Sequence, residues 1–393
     1  MLKRKKKRIY MDYAAATPLR KEAKKVMDQY WDKDFGNAGA IHTEGTTAKQ
    51  AIENSRKTIA DILNARTDEI VFNSGGTESN NSAIFGVLDK LAEDGMKIKD
   101  MHLITTKMEH PSVLNYFKYF EKKGATLDLI DITKTGEIDL KQFRSLLKPN
   151  TVLISIMFVN NEIGIIQPME EIVRIIRNFK KHTLKDHQSI TPILHSDSAQ
   201  ALLYIPLNTL KLGIDLLSFD AQKIYGPKGA GALYIRKGLE INSLIIGGTQ
   251  ENGLRSGTEN TPLIVGFAKA LELSSKEQKK EIIRLTKLRN YFIQEILNKI
   301  SEADLNGSLE NRLPNNINIS IPASNNDFSV IQLDVKGIAC STKSSCSTEK
   351  YSYVIKALGK TEKQIQNSLR FTLGKFTTKK EIDYVVKCLT LLK

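Results

Sequence analysis

The sequence predicts an α/β protein with a mainly parallel, seven-stranded sheet covered by helices on both faces, plus a smaller α+β domain. From residue 69 onward, short apolar segments alternate with helical ones, a pattern typical of βαβ units. The chain of 393 residues is long enough for a large core and a second domain. Beyond Thr258 the alternation stops and a long charged helix follows.

The elements can be assigned in order along the chain. Residues 9–11 form a strand, Pro18 opens a helix through about Trp31, and a second helix covers 47–64. The sheet strands are predicted at 70–73, 102–105, 126–130, 152–157, 192–195, 215–218 and 232–235. A charged helix at 274–300 leads to strands at 315–321 and 368–373 and helices at 326–333 and 379–391.

These elements suggest three parts. We expect residues 1–15 to pack with the small domain and residues 16–260 to form the large domain. Residues 261–393 would supply a connecting helix and the small α+β domain, which carries a cysteine-containing loop.

Composition is that of an ordinary soluble globular protein, with 41% hydrophobic and 26% charged residues. No apolar run is long enough to cross a bilayer, and the basic start lacks the apolar segment of a signal peptide, so we expect a cytoplasmic protein without membrane contact. The net charge of +14 favours a lysine-rich solvated surface. Direct RNA binding ranks second, because no RNA-binding signature accompanies the charge.

The three cysteines are too few for a disulfide framework and lack metal-ligand spacing, so no metal site is expected. Cys388 lies in an apolar-periodic helix and is predicted to be buried. Cys340 is expected to begin a buried strand, and Cys346 falls in a loop rich in Ser and Thr.

Lys223 is the residue around which the candidate site is organised. It follows a predicted strand and precedes the segment Gly226-Pro227-Lys228-Gly229, which is neither helix nor strand. A lysine at a strand end can present its amine to a cleft and attack a carbonyl group. A solvated surface lysine would fit this position equally well, so the interpretation depends on the residues upstream.

Other polar residues follow the neighbouring strands. Gly76 and Thr77 lie at a strand-to-helix turn that suits a phosphate group, although an ordinary capped turn would look the same. His110 precedes a helix that begins at a proline. Asn161 follows an apolar strand, and Asp197 follows another, where a buried carboxylate needs a partner such as a protonated ring nitrogen.

A phosphate-binding turn, a stacking histidine, a paired aspartate and a lysine at successive strand ends suggest pyridoxal 5′-phosphate (PLP) as cofactor. The lysine would form a Schiff base, and the aspartate would keep the pyridine nitrogen protonated.

The chain resembles the NifS/IscS-type cysteine desulfurases, PLP enzymes of fold type I in the class V aminotransferase group. The resemblance extends from residue 10 to residue 378. Its most specific motifs are Ser74-Gly75-Gly76-Thr77-Glu78-Ser79, Asn160-Asn161-Glu162-Ile163-Gly164, Lys223-Ile224-Tyr225-Gly226-Pro227-Lys228-Gly229 and Arg255-Ser256-Gly257-Thr258.

The resemblance implies roles around the cofactor ring. Lys223 would carry the Schiff base. Asp197 would pair with the pyridine nitrogen, and Gln200 would donate to the phenolic oxygen. His110 would stack on the ring and assist proton transfer.

The resemblance also implies how phosphate and substrate are held. Thr77 and the Gly76 backbone would bind the phosphate, and Thr258 would reach the phosphate of a partner subunit, which implies a homodimer with shared active sites. Asn161, next to the cofactor, and Arg370 would hold the carboxylate of L-cysteine, because an arginine fork binds a carboxylate at two points.

Cys346 falls where the family has its nucleophilic cysteine. The implied reaction converts L-cysteine to L-alanine and leaves a persulfide on this thiol, for an acceptor in iron–sulfur cluster assembly or tRNA thiolation. A thiol that visits both cofactor and acceptor suits a loop. The alternatives are a selenocysteine lyase or other class V PLP lyase, and a catalytically impaired desulfurase-like protein that binds or regulates.

Two departures from the family pattern are visible. Asp220 and Gln222 stand where the family has a hydroxyl residue and a histidine before the lysine. Gln222 can still donate to the phosphate, whereas Asp220 would weaken PLP binding unless it turns away or pairs with a base. The loop after Cys346 is also about two residues shorter than in the housekeeping enzymes, which bears on the choice of acceptor.

Overall fold

The computed structural model describes residues 8–183, 191–322, 326–343 and 351–392. The strands are β1 (Ile9–Tyr10), β2 (Ile70–Asn73), β3 (His102–Thr106), β4 (Thr126–Ile130), β5 (Thr151–Ser155), β6 (Ile193–Asp197), β7 (Leu216–Asp220), β8 (Gly231–Ile235), β9 (Asp304–Leu305), β10 (Asn316–Ser320), β11 (Ile338–Ala339) and β12 (Ser368–Thr372). The helices are α1 (Lys21–Asp32), α2 (Thr43–Leu63), α3 (Gly76–Glu93), α4 (Pro111–Lys122), α5 (Leu140–Leu146), α6 (Met169–Thr183), α7 (Thr209–Leu212), α8 (Thr261–Lys299), α9 (Asn326–Val335), α10 (Tyr353–Ala357), α11 (Glu362–Gln366) and α12 (Lys379–Leu389).

The central sheet has seven strands in the order β2-β8-β7-β6-β5-β3-β4. Its pairs are parallel except those made by β8, which runs antiparallel to both β7 and β2. The helices between consecutive strands supply the crossovers that a parallel sheet requires. The predicted fold class is therefore confirmed.

Apart from the edge strand β4, both faces of this sheet are buried. Successive strand residues point to opposite sides, so each strand contributes to both cores. In β2, Ile70 and Phe72 belong to a core that also contains α2, while Val71 belongs to a second core containing α3 and α4. In β7, Leu217 belongs to the first of these cores and Leu216 to the second. Burial on both sides explains why these strands are continuous apolar runs without polar alternation.

Two small sheets lie outside the central one. β10 pairs antiparallel with β9 and β12, and β1 pairs parallel with β11, so the N-terminal strand joins a C-terminal one. The domain limits at residues 15 and 260 stay a prediction. Among the described residues, none of the helices combines the length and apolar character needed to span a bilayer.

Several predicted element boundaries are wrong. The first helix begins at Lys21 and not at Pro18, and the second begins at Thr43 and not at residue 47. The long helix α8 begins at Thr261 and not at residue 274, because the side chain of Asn260 accepts a hydrogen bond from the Leu263 N–H and caps its first turn. Cys340 does not begin a strand, since β11 ends at Ala339. Cys340 is nevertheless buried, and burial raises the pKa of its thiol to about 12.

Candidate active site

A cavity of about 290 Å³ opens at the carboxyl ends of the parallel strands. This edge is where open α/β sheets bind their ligands. The predicted site residues that line it are Gly76, Thr77, His110, Asn161, Asp197, Gln200, Gln222, Lys223 and Arg370. Strand ends that are far apart in the sequence thus meet at one cleft, as the sequence predicts.

Two predicted site residues are not part of this lining. Thr258 is exposed and lines a neighbouring cavity of about 220 Å³ together with Ser74 and Arg255. Cys346 lies outside the described residues, as does the loop after it.

The turn between β2 and α3 forms one end of the cleft. Gly75 has a φ of 143°, which a residue with a side chain rarely adopts. A Cβ on Gly231 would lie 2.5 Å from the Gly75 Cα, so the close approach of the two chains also requires glycine. In the part of the chain that the structure describes, no side chain caps the N-terminus of α3, and the amides of its first turn can bind an anion such as phosphate.

Lys223 ends a short 3₁₀ turn that follows β7 directly. Its Nζ donates to the backbone oxygens of Ala14 and Ala15, at 2.9 and 2.8 Å. The amine is therefore held at the cleft by the N-terminal segment. This contact was not predicted, because nothing in the sequence of residues 14–15 indicates a partner more than 200 residues away.

Asp197 is the last residue of β6, and its carboxylate is oriented by two donors. Asn80 Nδ2 donates to Oδ2 at 2.8 Å, and the Ala199 N–H donates to Oδ1 at 3.1 Å. Asn80 is buried and its Oδ1 has no partner among the described residues. Asn80 was not among the predicted site residues, although it lies one helical turn after Gly76 and so on the same face of α3.

His110 caps α4, since its Nδ1 accepts the Ser112 N–H at 3.2 Å. The Ser112 hydroxyl lies 2.7 Å from the same nitrogen and also accepts from Asn80 Nδ2 at 2.8 Å. With Nδ1 acting as acceptor, the neutral ring carries its proton on Nε2. A chain of hydrogen bonds therefore runs from His110 through Ser112 and Asn80 to Asp197.

Asp220 faces the glycine turn. Its Oδ2 lies 3.5 Å from the position that a Cβ on Gly76 would occupy. The carboxylate accepts from the Gln222 N–H at 3.1 Å and from Gln222 Nε2 at 3.0 Å. The salt bridges of the described residues do not include Asp220. The side chain therefore neither turns away from the turn nor pairs with a base, and the Gln222 amide points to Asp220.

Asn161 and Arg370 also meet at the cleft. Arg370 Nη1 donates to the Asn161 backbone oxygen at 3.1 Å. The preceding residue, Asn160, has a structural role, because its side chain bonds to Met108, Glu162 and Ile163.

Both flanks of segment 344–350 contact a residue that lines the cleft or the chain neighbour of one. Before it, Ser341 exchanges two backbone hydrogen bonds with Arg370, at 2.7 and 3.1 Å. After it, the Tyr353 hydroxyl donates to the Glu109 backbone oxygen at 2.6 Å, and the Ser352 hydroxyl donates to Glu162 Oε2. The residues on both sides of the segment that contains Cys346 therefore lie beside the cavity.

Glu109 is a fully buried carboxyl group that the sequence analysis did not identify. Its Oε1 accepts from the Thr106 hydroxyl and the Met157 N–H, while Oε2 has no partner among the described residues. Burial, with a contribution from the negative charge of Asp197, raises the pKa of Glu109 to about 8. The carboxyl group is therefore largely protonated at neutral pH.

This pKa predicts that the protein loses stability as pH rises. The folded state keeps the Glu109 proton up to about pH 8, whereas the unfolded state releases it near 4.5. The free energy of unfolding should therefore fall by up to about 1.4 kcal/mol for each pH unit within that window. Glu109→Gln removes the titrating group and should flatten this slope in urea unfolding measured across the window. Glu121→Gln, at an exposed position of α4, should keep the wild-type slope. Equal slopes for the wild type and Glu109→Gln would contradict the prediction.

The sheet topology, with a lysine and a carboxylate at neighbouring strand ends in one cavity with a glycine turn, is that of the fold type I class. The pattern of the family described as Aminotransferase class-V matches residues 9–385. The chain belongs to this family.

Individual relatives are similar over nearly the whole chain. "Cysteine desulfurase IscS" of Dictyoglomus turgidum is 44% identical over 386 residues, which are 98% of this chain and 94% of the relative. A solved structure described as a NifS-like protein has a TM-score of 0.89 at 34% identity, covering 98% of this chain and 99% of the other. Another, described as SspA in complex with cysteine, has a TM-score of 0.79 at 33% identity, covering 94% and 100%.

Proposed function

We propose that this protein is a PLP-dependent cysteine desulfurase, which removes sulfur from L-cysteine to give L-alanine and a persulfide on Cys346. The observation that carries the proposal is that Lys223, Asp197 and Gly76 line the same cavity. Similarity over nearly the full length to proteins named cysteine desulfurase supports the same reaction. SspA, with 33% identity, is described in complex with cysteine, which supports the choice of substrate.

The residues of the cleft fit PLP. Lys223 would hold the cofactor covalently, and the uncapped first turn of α3, with Gly76 and Thr77, would bind its phosphate. Asp197, already oriented by Asn80, would accept a hydrogen bond from a protonated ring nitrogen. When bound, PLP supplies an electron sink for the bonds of an attached amino acid.

The remaining steps belong to side chains of this protein. Arg370 and Asn161 would hold the substrate carboxylate, and His110 would exchange a proton through Nε2. The Cys346 thiolate would attack the substrate sulfur, so that an S–S bond forms as the C–S bond breaks and a proton completes L-alanine. The contacts of Ser341, Ser352 and Tyr353 keep both flanks of the cysteine segment at the cleft.

A persulfide assay with L-cysteine tests this function. Wild-type protein should form one cysteine-dependent persulfide per site, and Cys346→Ser should reduce it by about 10²-fold or more, because the accepting thiol is lost. Cys388→Ala, which changes a buried cysteine of α12, should keep the wild-type yield. Persulfide formation that survives in Cys346→Ser would contradict the proposal.

The position of Asp220 favours one second candidate, a desulfurase-like protein with impaired catalysis that acts by binding. A carboxylate facing the phosphate-binding turn is its support. If the wild type shows no absorption band of lysine-bound PLP, that result would favour this candidate. A selenocysteine lyase would instead act on selenocysteine without forming a persulfide from L-cysteine.

We further propose a homodimer with shared sites. Thr258 is exposed and outside the cavity of its own chain, as expected for a residue that reaches the phosphate held by a partner subunit. A sulfur-acceptor protein would receive the persulfide sulfur from Cys346.

A further inference from the structure

Asp12 contacts the arginine of the proposed substrate site, and no role has been assigned to it above. Its Oδ1 accepts from Arg370 Nη2 at 2.8 Å. The Asp12 side chain is 18% exposed and the Arg370 side chain 1%, so the ion pair is largely screened from water. A pair of this kind fixes its members much more firmly than one at the surface.

The backbone holds Asp12 beside Arg370. Asp12 makes a parallel bridge with Thr372 of β12, the strand that carries Arg370. The Thr372 N–H donates to the Met11 oxygen at 2.8 Å, and the Ala14 N–H donates to the Thr372 hydroxyl at 2.9 Å. The position of the Asp12 carboxylate is therefore set by paired backbone on both sides.

Arg370 keeps donors that its protein contacts do not use. Nη2 donates to Asp12 and Nη1 to the Asn161 backbone oxygen, while Nε is buried without a partner among the described residues. A guanidinium group has five N–H donors in one plane. Within the described ranges, two anchors thus define that plane and leave other donors of this cavity-lining residue for a ligand.

The segment of residues 12–15, which contains Asp12, also contacts the amine of Lys223. The Ala14 oxygen accepts from both Lys223 Nζ and Gln200 Nε2, and the Ala15 oxygen accepts from Lys223 Nζ. Residues 12–15 therefore hold the arginine with a side chain and the lysine with backbone oxygens, at a fixed spacing along one stretch of chain.

We propose that Asp12 is a positioning residue that orients Arg370 to bind the α-carboxylate of the amino-acid substrate. The proposal rests on the proposed function. Asp12 fixes the plane of the guanidinium group by accepting from Nη2 while the site is free of substrate. It acts through Arg370 and does not touch the reacting atoms.

The test compares ligands with and without a carboxylate. Changes in the absorption band of the PLP-loaded protein are titrated with L-alanine and with cysteamine, which has an amine and a thiol but no carboxylate. Asp12→Ala should weaken L-alanine binding by about 10-fold and raise KM for L-cysteine similarly, with kcat changed less. Cysteamine binding should be unchanged, because it does not use Arg370.

Two further variants complete the test. Asp12→Asn retains an acceptor oxygen and should recover most of the L-alanine affinity even if Asp12→Ala folds poorly. Asp334→Ala removes the aspartate of the exposed pair with Arg8 and should behave as wild type.

The possible outcomes separate the inference from the proposed function. Unchanged or tighter L-alanine binding in Asp12→Ala, or equal losses for L-alanine and cysteamine, would overturn the positioning role. A wild-type protein whose band responds to neither ligand would overturn the proposed function and this inference with it.

Discussion

Replacement of Lys223 with alanine is expected to abolish the absorption band of lysine-bound PLP and to lower sulfide release from L-cysteine by about 10³-fold or more. The physical reason is that the amine is the covalent attachment point in the proposed site, and no other side chain can replace a covalent nucleophile in this position. Lys223 is held at the cleft by the Ala14 and Ala15 oxygens, which direct the amine towards the cavity side of the N-terminal segment.

The matched control is Lys228→Ala, which removes an exposed lysine five positions further along the same glycine-rich loop. It should retain both the band and the activity. Absorption spectra of the two purified variants, recorded after incubation with PLP, provide the measurement. A band of normal intensity in Lys223→Ala would disprove the assignment of this lysine.

Replacement of Asp220 with serine is expected to slow the loss of PLP from the protein by between about 10-fold and 10³-fold. The Asp220 carboxylate faces the turn at Gly76, where the phosphate dianion would sit. Two unit charges about 4 Å apart repel by roughly 4 kcal/mol at an effective dielectric constant near 20, which sets the upper limit. The hydrogen bonds from Gln222 orient this carboxylate but do not neutralise it.

Asp220→Asn separates charge from shape, because it keeps the size of the side chain and removes the negative charge. Like Asp220→Ser, this variant should lose PLP more slowly than the wild type. PLP release during dialysis, followed by absorption and independent of turnover, measures the effect. If wild type and both variants retain PLP equally, the carboxylate does not oppose the phosphate.

The segments of the central sheet could be predicted because their signal is local. Burial on both faces makes most of the strands short apolar runs, and the helices between them carry their own periodicity. Thr77, His110 and Lys223 could be singled out for the same reason, since each follows a strand, and the carboxyl ends of parallel strands lie at one edge. The start of α8 was missed because its first turns are apolar and buried, unlike the charged region that marked the helix in the sequence.

The amino-acid sequence by itself determined the fold class, the family and most of the polar groups that line the cleft. Only the tertiary structure decided how those groups are paired. Asp12 and Arg370 are 358 positions apart, and Asn80 and Asp197 are 117 apart, so no periodicity links them. Burial likewise decides that Glu109 keeps its proton, and contact with Asp220 decides where Gln222 points. Local patterns record which face of a strand or helix is buried, whereas hydrogen-bond partners and pKa values depend on what the rest of the chain brings into contact.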